Sequence, residues 1–225
     1  MKIKFYAHAC FRLEGDGSAV VTDPYTPGPT VSNFDPVGEP ADIVIMSSAT
    51  DRFHSDPTHI TGDPVVVNAV EVPAEGIAVR GVPIRAFQTM ESLTWDFGRD
   101  PDANAMYLFT LDGVRVLHIG DIGNPLAPEH LAALSGQVDV MLALTGGHAT
   151  IALDDLDAAI AAIQPRVVIP MHYFSLKGRL KIDPVTEFTQ QYPADTVTFV
   201  GESELELTQA TLPEHLHIYV LEQSR

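Results

Sequence analysis

The chain has 225 residues, 45% of them hydrophobic, which is enough to bury a sizeable core in one domain spanning 1–225. Acidic residues outnumber basic ones by 30 to 13, and the formal net charge of −17 argues against a nucleic-acid backbone or an anionic membrane as partner. There is no apolar run long enough to span a bilayer and no signal-peptide pattern, and the lone Cys10 has no partner for an internal disulfide, so a cytoplasmic protein is expected.

Taken in chain order, the first half is a series of short β-branched runs bounded by Gly, Pro, Asp and Asn. Val20-Val21-Thr22 ends at Asp23-Pro24, Ile43-Val44-Ile45-Met46 ends at Ser47-Ser48, and Val65-Val66-Val67 follows; all three read as buried strands. Asp56-Pro57 has the form of an N-cap and first helical residue. Met106–Thr110 and Val114–His118 flank Leu111-Asp112-Gly113, the signal for a tight hairpin. Pro128 opens a helix through Leu131 and Leu134 that Gly136 closes. Val138–Leu142 is the next strand. Asp154 or Asp155 caps a helix whose Leu156, Ala159, Ile160 and Ile163 share one face, and Pro165 stops it. Val167-Val168-Ile169 is a strand leading to His172, a last long helix covers Asp183 to Tyr192, and Thr196–Val200 and His217–Leu221 close the chain as strands. Strand–helix–strand units in the second half imply helices covering a strand layer.

Five stretches in this order resemble the metallo-β-lactamase superfamily, in its branch of ascorbate-phosphate-lactonase-like small metal-dependent hydrolases. They are His8–Glu14 with Val20–Pro24, Ala41–Ser47, Val116–Asp121, Val138–Gly147 and Pro165–Tyr173. Gly201-Glu202 followed by Leu212-Pro213-Glu214 resembles that branch's closing hairpin. The resemblance implies an α/β fold, a four-layer αββα sandwich with the site along the edge where two sheets meet. It also implies a His-x-His-x-Asp-His motif after the second strand run, holding two metals around a bridging hydroxide. Aligned without a gap, those four ligand positions carry Ser48, Thr50, Arg52 and Phe53, and a further histidine position reads as Gln88. Only Asp121 and His172 match family ligands, as metal or catalytic residues, while His8 and His118 match as supporting positions.

Two residues alone make a poor zinc site, since zinc usually takes three or four protein ligands. The first reading is therefore a fold whose dinuclear zinc centre is lost, catalytically silent or altered. Its groove would be a small-molecule pocket walled by Ser48, Thr50, Arg52, Gln88, His118, Asp121, His148 and His172. Arg52 would then pair with Asp121 in place of the metal, and would recognise an anionic ligand. The second reading is a working hydrolase of an ester, lactone or phosphoester. A register shift brings Asp51 and His54 to Asp121 and His172 around a single divalent zinc, manganese or iron. The third is a non-catalytic scaffold or interaction subunit, and a homo-oligomer is compatible with all three. Cys10 in an apolar strand reads as an inert core thiol, and no Gly-x-Ser-x-Gly elbow, phosphate loop or dinucleotide fingerprint is present.

Overall fold

The structure is a computed structural model and describes residues 1–91, 103–147, 150–178 and 180–225. The N-terminal strands β1 (Lys2–Ala7), β2 (Cys10–Gly15), β3 (Ser18–Thr22), β4 (Ile43–Met46) and β5 (Val65–Asn68) pair in sequence order. The second sheet holds β6 (Ile77–Val79), β7 (Val82–Met90), β8 (Ala103–Leu111), β9 (Val114–His118), β10 (Val140–Leu144) and β11 (Val167–Met171). It also holds the late strands β12 (Val197–Phe199) and β14 (His217–Val220), in the order β12-β14-β11-β10-β9-β8-β7-β6. A short strand between them, β13 (Glu204–Glu206), crosses to pair with β1 and makes the first sheet six-stranded.

Alternation along the first sheet divides its side chains between two cores. Ile3, Phe5, Phe11, Leu13, Val20, Ile43 and Ile45 face the main core shared with the second sheet. Tyr6, Cys10, Val21, Val44 and Met46 face the opposite side, where Tyr25, Phe34, Val37 and Ile60 cover them. That outer layer is therefore loop and 3-10 helix (Pro57–His59, capped by Asp56) rather than α-helix. Phe5 and Phe11 are direct cross-strand partners with ring centroids 4.5 Å apart, a pair that adds roughly 0.2–1 kcal/mol to its burial.

The second sheet carries its helices on the other side. Helix α1 (Pro128–Leu134) packs against α2 (Leu153–Ile163), which buries Leu156, Ala159, Ile160 and Ile163 as their spacing predicts. The N-cap is Ala152, so Asp154 and Asp155 lie in the first helical turn, where carboxylates complement the helix dipole. The expected hairpin turn is there: Asp112 and Gly113 both have positive φ, 49° and 72°, as a type I′ turn requires.

Three expectations differ. Val65 and Val66 are 41% and 46% exposed, because β5 is an edge strand. The long helix over Asp183–Tyr192 is only α3 (Val185–Thr189); Pro184 and Pro193 flank the segment, and three of the five helical residues are β-branched. The closing hairpin is replaced by β12 and β14 pairing in parallel while β13 leaves for the other sheet. Among the described residues no helix is long and apolar enough to cross a membrane.

Candidate metal centre

Five side chains meet at the strand ends along one edge where the sheets adjoin. His8 comes from the β1–β2 turn, Asp51 and His54 from the loop after β4, Asp121 from just beyond β9, and His172 from the end of β11. Each is placed by local backbone chemistry. His8 and His172 both sit in the left-handed region, at φ 59° and 53°, and the His172 N–H donates to the His8 carbonyl at 2.8 Å, so the two turns fix each other. Gly120, at φ 65°, lets the chain turn so that the Asp121 N–H donates to Asn104 Oδ1 at 3.0 Å; a Cβ there would lie 2.7 Å from the Asn104 side chain. The loop carrying Asp51 and His54 is tied internally by Phe53 N–H to Asp51 Oδ1 at 2.8 Å and by Ser55 Oγ–H to the Asp51 carbonyl.

His54 is aimed by Asp23. This carboxylate, at the end of β3, accepts the His54 Nδ1–H at 2.8 Å, the Ser47 hydroxyl at 2.5 Å, the Ser47 N–H at 2.8 Å and the Tyr107 hydroxyl at 3.0 Å. Holding a proton on Nδ1 turns Nε2 toward Asp51 and Asp121, where it can offer a lone pair once a metal displaces the second proton, the carboxylate–histidine arrangement that supports metal ligands. His118 lies below the site rather than in its wall. It is fully buried, stacks on Tyr107 at 4.8 Å, donates from Nε2 to the Ala9 carbonyl at 2.9 Å and accepts the Gly120 N–H at 3.0 Å.

The polar atoms that face one another across the centre are not hydrogen-bonded. His54 Nε2 is 3.4 Å from Asp121 Oδ2 and 3.8 Å from Asp51 Oδ2, and His172 Nε2 is 3.5 Å from Asp121 Oδ1. His8 Nε2, His54 Nε2, Asp121 Oδ1 and His172 Nδ1 are buried without a hydrogen-bond partner. Orphaned buried polar atoms are costly, about 1–3 kcal/mol each, and three of them, on His8, His54 and Asp121, gathered around His54 call for an explanation. Ligand atoms about 2.0–2.2 Å from a tetrahedral metal stand roughly 3.3–3.6 Å apart. The residues therefore fit a divalent metal: one ligand atom each from His8, His54 and His172 lie within 4.8 Å of one another, and so, as a second group, do one each from Asp51, His54 and Asp121.

The electrostatics agree. Burial alone would raise the Asp121 pKa, but His54 and His172 hold it below the ordinary carboxylate value. Burial would likewise lower that of His54, yet the carboxylates of Asp121, Asp23 and Asp51 push it well above 6.5. His8 and His172 are held below 6.5 by burial, which keeps their imidazoles neutral.

The remaining sequence candidates divide. Thr50 and Arg52 line, with Asp51, Phe53, Glu91, Leu180, Lys181 and Ile182, a cleft of about 670 Å3 that opens onto Asp121, His172 and His8. Ser48 is buried and within 3.2 Å of the Thr50 hydroxyl, supporting the loop rather than lining the cleft. Gln88 is not at the site: it is exposed on β7 and donates to the Val70 carbonyl, so the alignment that placed it there fails. The Arg52–Asp121 pair is also absent. Arg52 is exposed, and the side chains facing Asp121 are the imidazoles of His54 and His172, because the loop turns Asp51 and His54 inward instead. His148 lies outside the described residues. His59 is occupied structurally, between the Tyr25 carbonyl and the Val37 N–H. Asp23 was missed as a positioning residue and His8 as a candidate ligand, although each stood in a quoted stretch. The Asp-Pro closing β3 was a usable signal for the first; nothing local marked the second.

The profile of the family described as beta-lactamase superfamily domain matches residues 2–172. A UPF0173 metal-dependent hydrolase of Pyrococcus furiosus is 29% identical over 191 residues, covering 77% of this chain and 84% of that protein. The crystal structure of a Thermotoga maritima protein, assigned to the metallo-beta-lactamase superfamily as a Zn-dependent hydrolase, superposes with a TM-score of 0.77 at 29% identity over 99% of both chains. An isothiocyanate hydrolase from Delia radicum gut bacteria shares the fold alone, with a TM-score of 0.66 at 12% identity over 92% of this chain and 99% of that one. With its two-sheet α/β sandwich and a His/Asp cluster at the sheet edge, the chain belongs to the metallo-β-lactamase superfamily.

Proposed function

We propose that this chain is a hydrolase working with one divalent metal, held by Asp51, His54, Asp121 and His172 with His8 completing the set. The observation that carries this reading is the shared atom. His54 has only Nε2 to offer, since Nδ1 is bonded to Asp23, and His54 belongs to both candidate ligand groups. Two groups of three ligands, together three imidazoles and two carboxylates, thus share one histidine nitrogen, a donor set suited to zinc, manganese or iron(II). When bound, such a metal supplies Lewis-acid activation of a substrate oxygen and of water, the chemistry of ester, lactone or phosphoester hydrolysis. The chain's part is to keep His8 and His172 neutral, to aim His54 through Asp23, and to present a cleft whose apolar side, Phe53, Leu180 and Ile182, limits water.

The test is metal stoichiometry with turnover. Protein loaded separately with zinc, manganese and iron(II), then desalted, is expected to retain about one ion per chain. His54→Ala is expected to lose it, and a chelator to abolish hydrolysis of an aryl ester. Two ions per chain would overturn the single-metal reading; none would return the chain to a non-catalytic pocket. One bound ion without metal-dependent turnover would favour a scaffold.

A further inference from the structure

Arg52 and Lys181 are set apart from the other cations of an acidic molecule. With a net charge of −17, carboxylates are in excess everywhere, and the basic side chains are taken up by them or by carbonyls. Lys2, Lys4, Arg12, Arg80, Arg115, Lys177 and Arg225 each form an ion pair, and Arg166 donates to the carbonyls of Leu212 and Pro213. Arg85 lies over the Phe87 ring. Among the described residues only Arg52 and Lys181 have neither an acidic partner nor a carbonyl nor a ring, and both line the cleft above the metal ligands.

We infer that Arg52 and Lys181 form an oxyanion-binding subsite at the mouth of this cleft, and that the substrate is a small molecule carrying a carboxylate or phosphate group on an apolar body. This rests on the cleft being the substrate site of the proposed hydrolase. The backbone at Arg52 is fixed, since its carbonyl accepts the Thr26 N–H at 2.8 Å and the adjoining Phe53 N–H is bonded to Asp51, so the guanidinium is presented from an anchored loop. Lys181 comes from a different segment beyond β11, which gives the subsite two separately supported cations. The same cleft is lined by Phe53, Leu180 and Ile182, which suit a hydrocarbon or aromatic portion. Glu91, also on the lining, has an interaction of its own. In a molecule that repels anions at long range, two uncompensated cations at one cleft concentrate the attraction where it selects substrate. Arg52 suits a bidentate oxyanion, and Lys181 adds a point charge.

Calorimetric titration of metal-loaded protein with phenylphosphonate, benzoate and benzyl alcohol tests this. Both oxyanions are expected to bind, and the neutral alcohol at least roughly tenfold more weakly. In the double variant Arg52→Gln with Lys181→Gln, oxyanion affinity is expected to fall about threefold to thirtyfold, for two exposed contacts, while alcohol affinity and metal content stay unchanged. A larger loss for phenylphosphonate than for benzoate assigns the subsite to phosphate, and the reverse to carboxylate. Equal oxyanion binding by parent and double variant, or alcohol binding as tight as the oxyanions, overturns the subsite. Failure of the hydrolase reading is seen separately, as missing metal-dependent turnover, and leaves this binding difference intact.

Discussion

Two buried carboxylates within one site behave in opposite ways. Asp23 accepts four hydrogen bonds and has no unmet valence, whereas Asp121 leaves Oδ1 orphaned and faces His54 at 3.4 Å and His172 at 3.5 Å without a well-formed hydrogen bond to either. Both have pKa values below the ordinary carboxylate range, so a lowered pKa alone does not separate them. The difference lies in completeness. A saturated acid is framework that orients its neighbours, and an unsaturated one in the same low-dielectric surroundings is waiting for a ligand.

The largest expected effect falls on the framework acid. Asp23→Asn faces an amide toward donors that need an acceptor, and is expected to cost ~3–5 kcal/mol in urea unfolding; a loss below ~1 kcal/mol would erase the distinction. His118→Phe keeps the ring stack but strands the Gly120 N–H and leaves the Ala9 carbonyl with the Thr22 hydroxyl alone, and is expected to cost ~2 kcal/mol with metal content unchanged. Asp121→Asn reverses that pattern. The metal-free protein is expected to shift by no more than ~1.5 kcal/mol. Its metal affinity should fall by more than the roughly 10–100-fold that removing a mere supporting bond costs.

Proton linkage gives a more gradual effect with a definite sign. His54 in the folded metal-free protein has a raised pKa, so its contribution is full below 6.5 and is lost as pH rises toward the folded value. His8, His118 and His172 have lowered pKa values, so they oppose folding as pH falls below 6.5. Thermal unfolding of metal-free protein is expected to peak near pH 6.5. Metal loading should remove the descending alkaline arm, because a ligating His54 has already given up its extra proton. An alkaline arm unchanged by metal would place His54 outside the centre. The smallest effect belongs to Gln88→Ala, expected to stay within ~0.5 kcal/mol and to leave metal retention alone, as its exposed position on β7 requires.

The fold was legible because it is written in local patterns. The runs ending at Thr22 and Met46, the Asp112-Gly113 turn and the Leu156–Ile163 stripe each carry their own periodicity or turn chemistry. Sheet edges were not legible: Val65-Val66 reads like any buried strand until the strand order leaves one side open. At the site, Asp121 and His172 stood out by motif, whereas Asp51 and His54 depend on a loop whose register no spacing rule fixes. Arg52 was assigned inward because ungapped alignment placed it on a ligand position. The turn instead directs Asp51 and His54 toward Asp121. His8 was the least visible, since its approach to His172, with centroids 4.0 Å apart, is a contact across 164 residues of chain.

The five converging side chains come from both sheets, three from the N-terminal half and two from the strand ends of the second sheet. An ion bound among them is a mechanical fastener across the seam, in effect a cross-link between distant parts of the chain without a covalent bond. Prying the sheets apart from this edge would first have to tear metal–ligand bonds, so loading should lengthen the lifetime under protease or pulling force more than it raises the melting temperature. The apo form, lacking the fastener, would open first at the very edge where substrate enters.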